Sequence, residues 1–251
     1  MGNTKIEYLD KTWNFYTGCR NWQNGVCPVG EKCWAKSIDK RFGRSFEPQL
    51  NLKVLNERLV MREPKRIGVC FTGDLFGDWV NPEMQVRAPF HHWEVMPLRE
   101  MVFSIISNRQ KHQFFFLTKC PQNYQKWGKS PDNAWVGASA NYAAPLGMAL
   151  WELGAVEAKH KWLSLEPLMG EIKIGNLQGV EWVVIGGWSQ GKTQPKPEWI
   201  GRIVSACDKS KIPVFLKNNL IPMIDELPDN CFTKTLSGDM NLRQEFPVVS
   251  P

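Results

Sequence analysis

Seven short apolar runs punctuate the chain, and each ends in a small or polar residue. Residues 12–16 lead into Thr17-Gly18-Cys19, 67–71 into Thr72-Gly73-Asp74, 114–117 into Thr118-Lys119, and 134–137 into Ala138-Ser139. Residues 162–165 lead into Glu166-Pro167, 182–185 into Gly186-Gly187, and 213–216 into Lys217-Asn218-Asn219. Runs this short and this apolar suit strands buried on both faces, as in a parallel sheet covered by helices. The stretches between them predict helices over 32–42, 50–61, 82–108, 122–127, 144–159 and 198–210, with a loop around Gln178-Gly179. The alternation reads as a parallel α/β architecture with right-handed crossovers. Seven strands fit a partial or open (β/α) barrel of about six or seven parallel strands; a doubly wound open sheet is the alternative.

In α/β barrels the chemistry gathers where the strands end. That rule brings Cys19, Asp74, Thr118, Lys119, Ser139, Glu166, Gly186-Gly187 and Lys217 to one mouth. The competing reading is that strand ends are polar because they meet water. Asp74 has a glycine beside it that lets a ligand approach, and its carboxylate either holds an ammonium group or caps a following helix. Glu166 is a ribose or ammonium ligand, or the partner of a lysine such as Lys119 or Lys217. Gly186-Gly187 allows close approach of a ligand to the backbone.

Cys19, Cys27 and Cys33 fall within fifteen residues, among the turn formers Gly18, Asn21, Asn24, Gly25, Pro28 and Gly30. A loop lets several thiolates converge on one point. Structural zinc takes four protein ligands, so three leave a position open; three cysteines on an iron–sulfur cluster likewise leave one iron free. The alternative is three ordinary buried thiols. Cys70, Cys120 and Cys207 read as core or strand-end thiols, and Cys231 lies in a polar tail.

The remaining composition narrows the class. A chain of 251 residues with 43% hydrophobic content supports one large domain or two small ones. The expected division is a barrel domain over 1–224, with the cysteine loop at 17–35, and a C-terminal extension over 225–251 that frays at its end. No run approaches the ~20 apolar residues of a membrane span. The polar N-terminus has no signal-peptide core, and seven cysteines do not make a secreted disulfide framework, so a cytoplasmic protein with no membrane partner is expected. A net charge of +6 permits an anionic partner. Most of the twelve tryptophans belong to the core, with a few available for stacking. Lys32, Lys36, Lys40 and Arg44 repeat at helical spacing, either a solvated face or one that meets a polyanion. His91-His92 has no cysteine near it in sequence and is not taken as a metal ligand.

The ordered series Thr-Trp-Asn, Thr-Gly-Cys, Cys, Cys-Trp-Ala, Thr-Gly-Asp-Leu-Phe, Phe-Leu-Thr-Lys-Cys-Pro, Trp-Val-Gly-Ala-Ser, Leu-Ser-Leu-Glu-Pro-Leu, Trp-Val-Val-Ile-Gly-Gly and Pro-Val-Phe-Leu-Lys resembles the phage-associated three-cysteine family related to radical SAM enzymes. It runs from about Lys5 to Asn219. The resemblance implies a partial (β/α) barrel with a [4Fe–4S] cluster on Cys19, Cys27 and Cys33. S-adenosylmethionine would chelate the open iron and be cleaved to a 5′-deoxyadenosyl radical with an electron from an external donor. By position, Thr72, Gly73 and Asp74 would meet the methionine amino group, and Ser139 and Glu166 the ribose and carboxylate. Gly186 and Gly187 would also line the cofactor, with Lys119 and Lys217 as catalytic candidates. The chain departs from the family pattern in its wider cysteine spacing, in Lys32 before the last cysteine in place of an aromatic, with Trp34 on the other side as the substitute, and in Trp188 after the double glycine. The phage association, basic balance and tryptophans imply a nucleotide or nucleic-acid substrate. Two other functions fit the residues: a non-enzymatic zinc- or cluster-binding protein associated with nucleic acid, and a barrel enzyme using Asp74, Glu166 and a lysine for acid–base work.

Overall fold

The computed structural model describes residues 1–57, 59–87, 95–175, 177, 179–189, 194–235 and 237–248. His91, His92 and Gln178 lie outside the described residues. All seven apolar runs contribute strands: β1 (Lys11–Trp13), β2 (Arg66–Val69), β3 (Gln113–Thr118), β4 (Ala134–Ser139), β5 (His160–Leu165), β6 (Trp182–Ile185) and β7 (Val214–Leu216). They lie side by side in chain order, and Gly2–Asn3 adds an antiparallel strand outside β1, giving a mostly parallel sheet of eight strands. Every residue of β4, β6 and β7 is buried, as strands covered on both faces require. The strictly sequential order has no reversal point, so the doubly wound alternative does not apply. Among the described residues, the first and last strands do not pair, so the sheet does not close on itself.

The chain divides into two compact units that the expected boundary at residue 224 does not mark. The first comprises residues 1–137 and 155–160. Its core is aromatic: Trp13, Phe76, Phe114, Phe116, Trp127 and Trp135 are fully buried, with Trp13 packed on Phe15 at 4.5 Å and Phe76 on Tyr124 at 4.2 Å between ring centroids. Helix α1 covers Trp34–Arg41 and helix α2 covers Leu98–Ser107.

Two helix expectations fail in this unit. Among the described residues, 82–108 hold α2, preceded by an antiparallel pair, Gln85–Arg87 with Val95–Pro97, in place of a continuous helix. Pro97 disfavours helix at the residue before it, and the β-branched Val86 and Val95 suit the strands that form instead. Among the described residues, 50–61 hold only the single turn Leu52–Leu55, capped by the Asn51 side chain. Leu50 pairs with Tyr16 as a strand, and Pro64 ahead of β2 disfavours helix just before it.

The second unit comprises residues 138–154 and 161–251. Helices α3 (Ala143–Ala155) and α4 (Pro197–Lys209) are its long helices. Pro197 begins α4, where its missing N–H costs nothing, and Ile200, Ile203, Val204 and Cys207 form the buried stripe. The C-terminal extension packs beside the last strand. Leu216 donates to the Arg243 carbonyl at 2.7 Å and Glu245 to the Val214 carbonyl at 2.9 Å, so the tail adds an antiparallel neighbour to β7. The Arg243 guanidinium grips the Glu245 carboxylate with two bonds and Asp208 at 2.9 Å. Cys231 is buried rather than part of a polar tail, and burial pushes its thiol up to about 11.

Candidate functional site

In the first unit, the ends of β1, β2 and β3 are tied through one carboxylate. After β2 the chain turns sharply at Cys70, whose φ of 58° is left-handed and whose N–H donates to Trp13. Thr72-Gly73-Asp74 then runs beside the start of the cysteine loop, with Gly18 and Gly73 bridged as in a parallel sheet. A Cβ on Gly18 would lie 2.3 Å from the Glu47 carbonyl oxygen, and one on Gly73 would lie 2.7 Å from that of Gly18. Protein backbone, not a ligand, is what approaches these glycines closely.

Asp74 is 4% exposed and accepts four hydrogen bonds. Its Oδ1 takes the Thr118 hydroxyl at 2.7 Å and the Phe76 N–H at 3.0 Å; its Oδ2 takes the Asn21 amide at 2.7 Å and the Lys119 N–H at 3.1 Å. Burial pushes its carboxyl up, and these four donors pull against that. No helix follows for it to cap, and its oxygens already meet protein donors. Asp74 is therefore a positioning residue.

Asn21 is the other half of this arrangement, and it is 2% exposed. Its backbone N–H donates to Cys19 Sγ at 3.4 Å, and its carbonyl accepts the Cys27 N–H at 2.9 Å. Its side-chain oxygen accepts from Cys120 Sγ at 3.2 Å while its amide holds Asp74. One residue thus links the first two cysteines of the loop to Asp74 and to the segment after β3. The sequence marks Asn21 only as one turn former among several, and Cys120 only as a core thiol; nothing in their spacing pairs them.

The three loop thiols are half-buried and free. Burial raises Cys19, and the charges of Asp74, Cys27 and Cys33 add to the rise. Burial likewise raises Cys33, where Cys27 adds and the Lys119 ammonium subtracts. Among the described residues, no group of three or more His, Cys, Asp and Glu side chains is gathered in metal-ligand geometry. The donor chemistry suits a soft metal or cluster: mutual repulsion among thiolates is what a bound cation relieves. Three buried oxygens following β1, β2 and β3 (Asn14 Oδ1, Thr72 Oγ1 and Gln122 Oε1) also have no protein partner, so polar acceptors remain for a bound group. Trp34, next to Cys33, is 41% exposed.

The second unit holds a cluster of its own residues. Glu166 pairs with Lys217: Nζ lies 2.7 Å from Oε2, with both side chains largely buried. The Ser164 hydroxyl donates to the other carboxylate oxygen at 3.1 Å. The double glycine is enclosed by protein. A Cβ on Gly186 would lie 3.1 Å from the Lys217 side chain and 3.3 Å from Glu166, and one on Gly187 would lie 2.1 Å from Gln194 Oε1. Asn219 clasps Gly187, accepting its N–H at 3.0 Å and donating to its carbonyl at 2.8 Å. Ser139 is buried at the end of β4. Ser164, Gln194 and Asn219 were not singled out from sequence as site residues, since hydrogen-bonding residues of this kind are common throughout a chain.

Among the described residues no helix is long and apolar enough to cross a membrane. No curated protein and no solved structure matches the chain. A family model does match, over residues 3–221, from the first edge strand to just past β7. By that match over most of its length, the chain belongs to the family described as protein of unknown function, DUF5131.

Proposed function

We propose that this protein is a radical SAM enzyme with a partial (β/α) barrel, acting on a nucleotide or nucleic-acid-related substrate. In this reading Cys19, Cys27 and Cys33 hold a [4Fe–4S] cluster and leave one iron for S-adenosylmethionine. When bound, that pair supplies hydrogen-abstracting radical chemistry, which belongs to the cofactor rather than to the protein. The observation that carries the reading is the loop itself: three half-buried free thiols, with Cys19 and Cys27 tied through Asn21 to a buried carboxylate.

The chain's own residues do the holding. Asn21 fixes the Cys19 and Cys27 ends of the loop, and Asp74 anchors Asn21 to the Thr118-Lys119 backbone. Lys119 supplies a positive charge toward Cys33, which favours its thiolate. Thr72 keeps a buried hydroxyl available to a ligand donor or acceptor. Trp34 presents a ring for an adenine base. The Glu166–Lys217 pair is a fixed dipole beside the double glycine, with Ser139 buried at its own strand end.

The test is iron, sulfide and zinc content after anaerobic reconstitution, beside Cys33→Ala. About four irons per chain, lost in the variant, is the expected result. Zinc without iron would replace the reading by a non-enzymatic metal-binding protein associated with nucleic acid. No metal at all would leave a barrel enzyme working by acid–base chemistry.

A further inference from the structure

We propose that helix α1 and the residues flanking it form a binding platform for single-stranded nucleic acid. Between residues 20 and 44 the chain carries Arg20, Lys32, Lys36, Lys40, Arg41 and Arg44 against only Glu31 and Asp39. Both acids are engaged, Glu31 by Lys36 and the buried Asp39 by Arg44 at 2.8 Å. Arg20 pairs with Glu47 just beyond the segment. Among the described residues, Lys40 and Arg41 pair with no carboxylate, and both are exposed. The surplus positive charge therefore faces water.

Aromatic rings stand among these cations. Trp34 is 41% exposed and Phe42 is 66% exposed, at opposite ends of α1. Seven residues make about two turns, so Trp34 and Arg41 share one face of the helix. Ala35 and Asp39 form the buried side. Two cations already sit over neighbouring rings: the Lys36 ammonium lies 4.0 Å from the centre of the Trp22 ring, and the Arg44 guanidinium lies 5.2 Å from that of Phe42. A merely solvated basic helix face has no use for exposed rings. An acidic peptide would use the charge and leave the rings uncovered. A single strand uses both, because its phosphates pair with the cations and its unpaired bases stack on the rings. The platform deepens the substrate half of the reading above and rests on it only for the idea that the bound strand is substrate. Binding itself needs no cluster.

Fluorescence anisotropy with short labelled single-stranded DNA and RNA, read against salt from ~50 to ~200 mM, tests it. We expect binding that weakens with salt, a loss of at least tenfold in Lys40→Glu/Arg41→Glu, and a loss of several-fold in Phe42→Ala. The same charge change placed on the exposed lysines of the second unit, Lys209→Glu/Lys211→Glu, is expected to leave affinity within about twofold. Equal weakening by that control would overturn the platform, since net charge alone would then explain binding. Displacement by polyglutamate as effective as by unlabelled oligonucleotide would overturn it in favour of an acidic protein partner. No binding by the intact protein would also overturn it. Iron content measured on the same samples separates the two proposals: strand binding by a protein that takes up no iron would end the radical reading and leave this one standing.

Discussion

Asp74 after β2 and Glu166 after β5 are both carboxylates at the end of a buried parallel strand, yet the fold holds them in opposite ways. Asp74 lies among neutral donors, two from side chains and two from backbone, and has no cation in contact. Glu166 meets the Lys217 ammonium at 2.7 Å and accepts from the Ser164 hydroxyl. Four directional bonds from three segments make Asp74 a junction that fixes where the cysteine loop sits. The Glu166–Lys217 pair instead holds a charged side chain in place, and the room for it comes from glycine at position 186. A carboxylate at a strand end is thus not one kind of feature: its partners decide whether it organises backbone or another side chain.

Breaking the junction has the largest expected effect. Asp74→Ala would leave four donors unmatched in a closed interior and cost about 4 kcal/mol in urea denaturation. Asp74→Asn keeps an acceptor oxygen and should cost roughly half as much. If both variants were as stable as the parent, Asp74 would not be the tie between the loop and β3.

The ion pair should respond differently. Lys217→Met leaves a mostly buried carboxylate without its cation and is expected to cost about 2 kcal/mol. Adding Glu166→Gln should return much of that loss, because the pair breaks even far more nearly than either charge alone. A double-mutant cycle with no coupling between 166 and 217 would remove the contrast.

Asn21→Ala sharpens the comparison at the loop. It is expected to cost about 1 to 2 kcal/mol and, by freeing the contacts to Cys19 and Cys27, to raise the rate of thiol labelling several-fold in the metal-free protein. An unchanged labelling rate would mean that the loop is held by other contacts.

The smallest effect concerns pH. All four histidines belong to the first unit's stretch of sequence or to residues 91–92; none lies in the second unit. His112 is buried with Nδ1 accepting the Lys65 N–H at 3.1 Å. Burial, with Lys111, Arg109 and Lys65 adding repulsion, lowers its value below the usual histidine range. Above about pH 6.5 both folded and unfolded forms are neutral. Below that the unfolded chain takes up the proton first, so stability falls as the pH drops. The NMR titration midpoint of His112 should lie below 6.5, and the acid-side loss should shrink in His112→Gln. A normal midpoint would sink the assignment.

Much of the fold was legible because apolar runs report burial directly. A strand covered on both faces needs apolar residues at successive positions, so β1 to β7 stand out without any partner being known. Helices were less legible where periodicity competed with local chemistry: Pro97 and the pairing of Leu50 with Tyr16 overrode the patterns at 82–108 and 50–61. The site was half legible. Cysteine, aspartate and lysine at strand ends are visible as chemistry, whereas Asn21, Asn219 and Gln194 act through orientation, which leaves no trace in residue type.

The sequence by itself determined the parallel α/β class, the seven strands in order, the residues at their ends and the three-cysteine loop, because each follows from local apolarity or from the chemistry of a side chain. Only the tertiary structure decided which donors meet Asp74, that Lys217 pairs with Glu166, that side chains fill the space over the double glycine, and that the tail extends the sheet beside β7. Those outcomes depend on groups tens of residues apart arriving within about 3 Å of one another, and no local pattern encodes a distance of that kind.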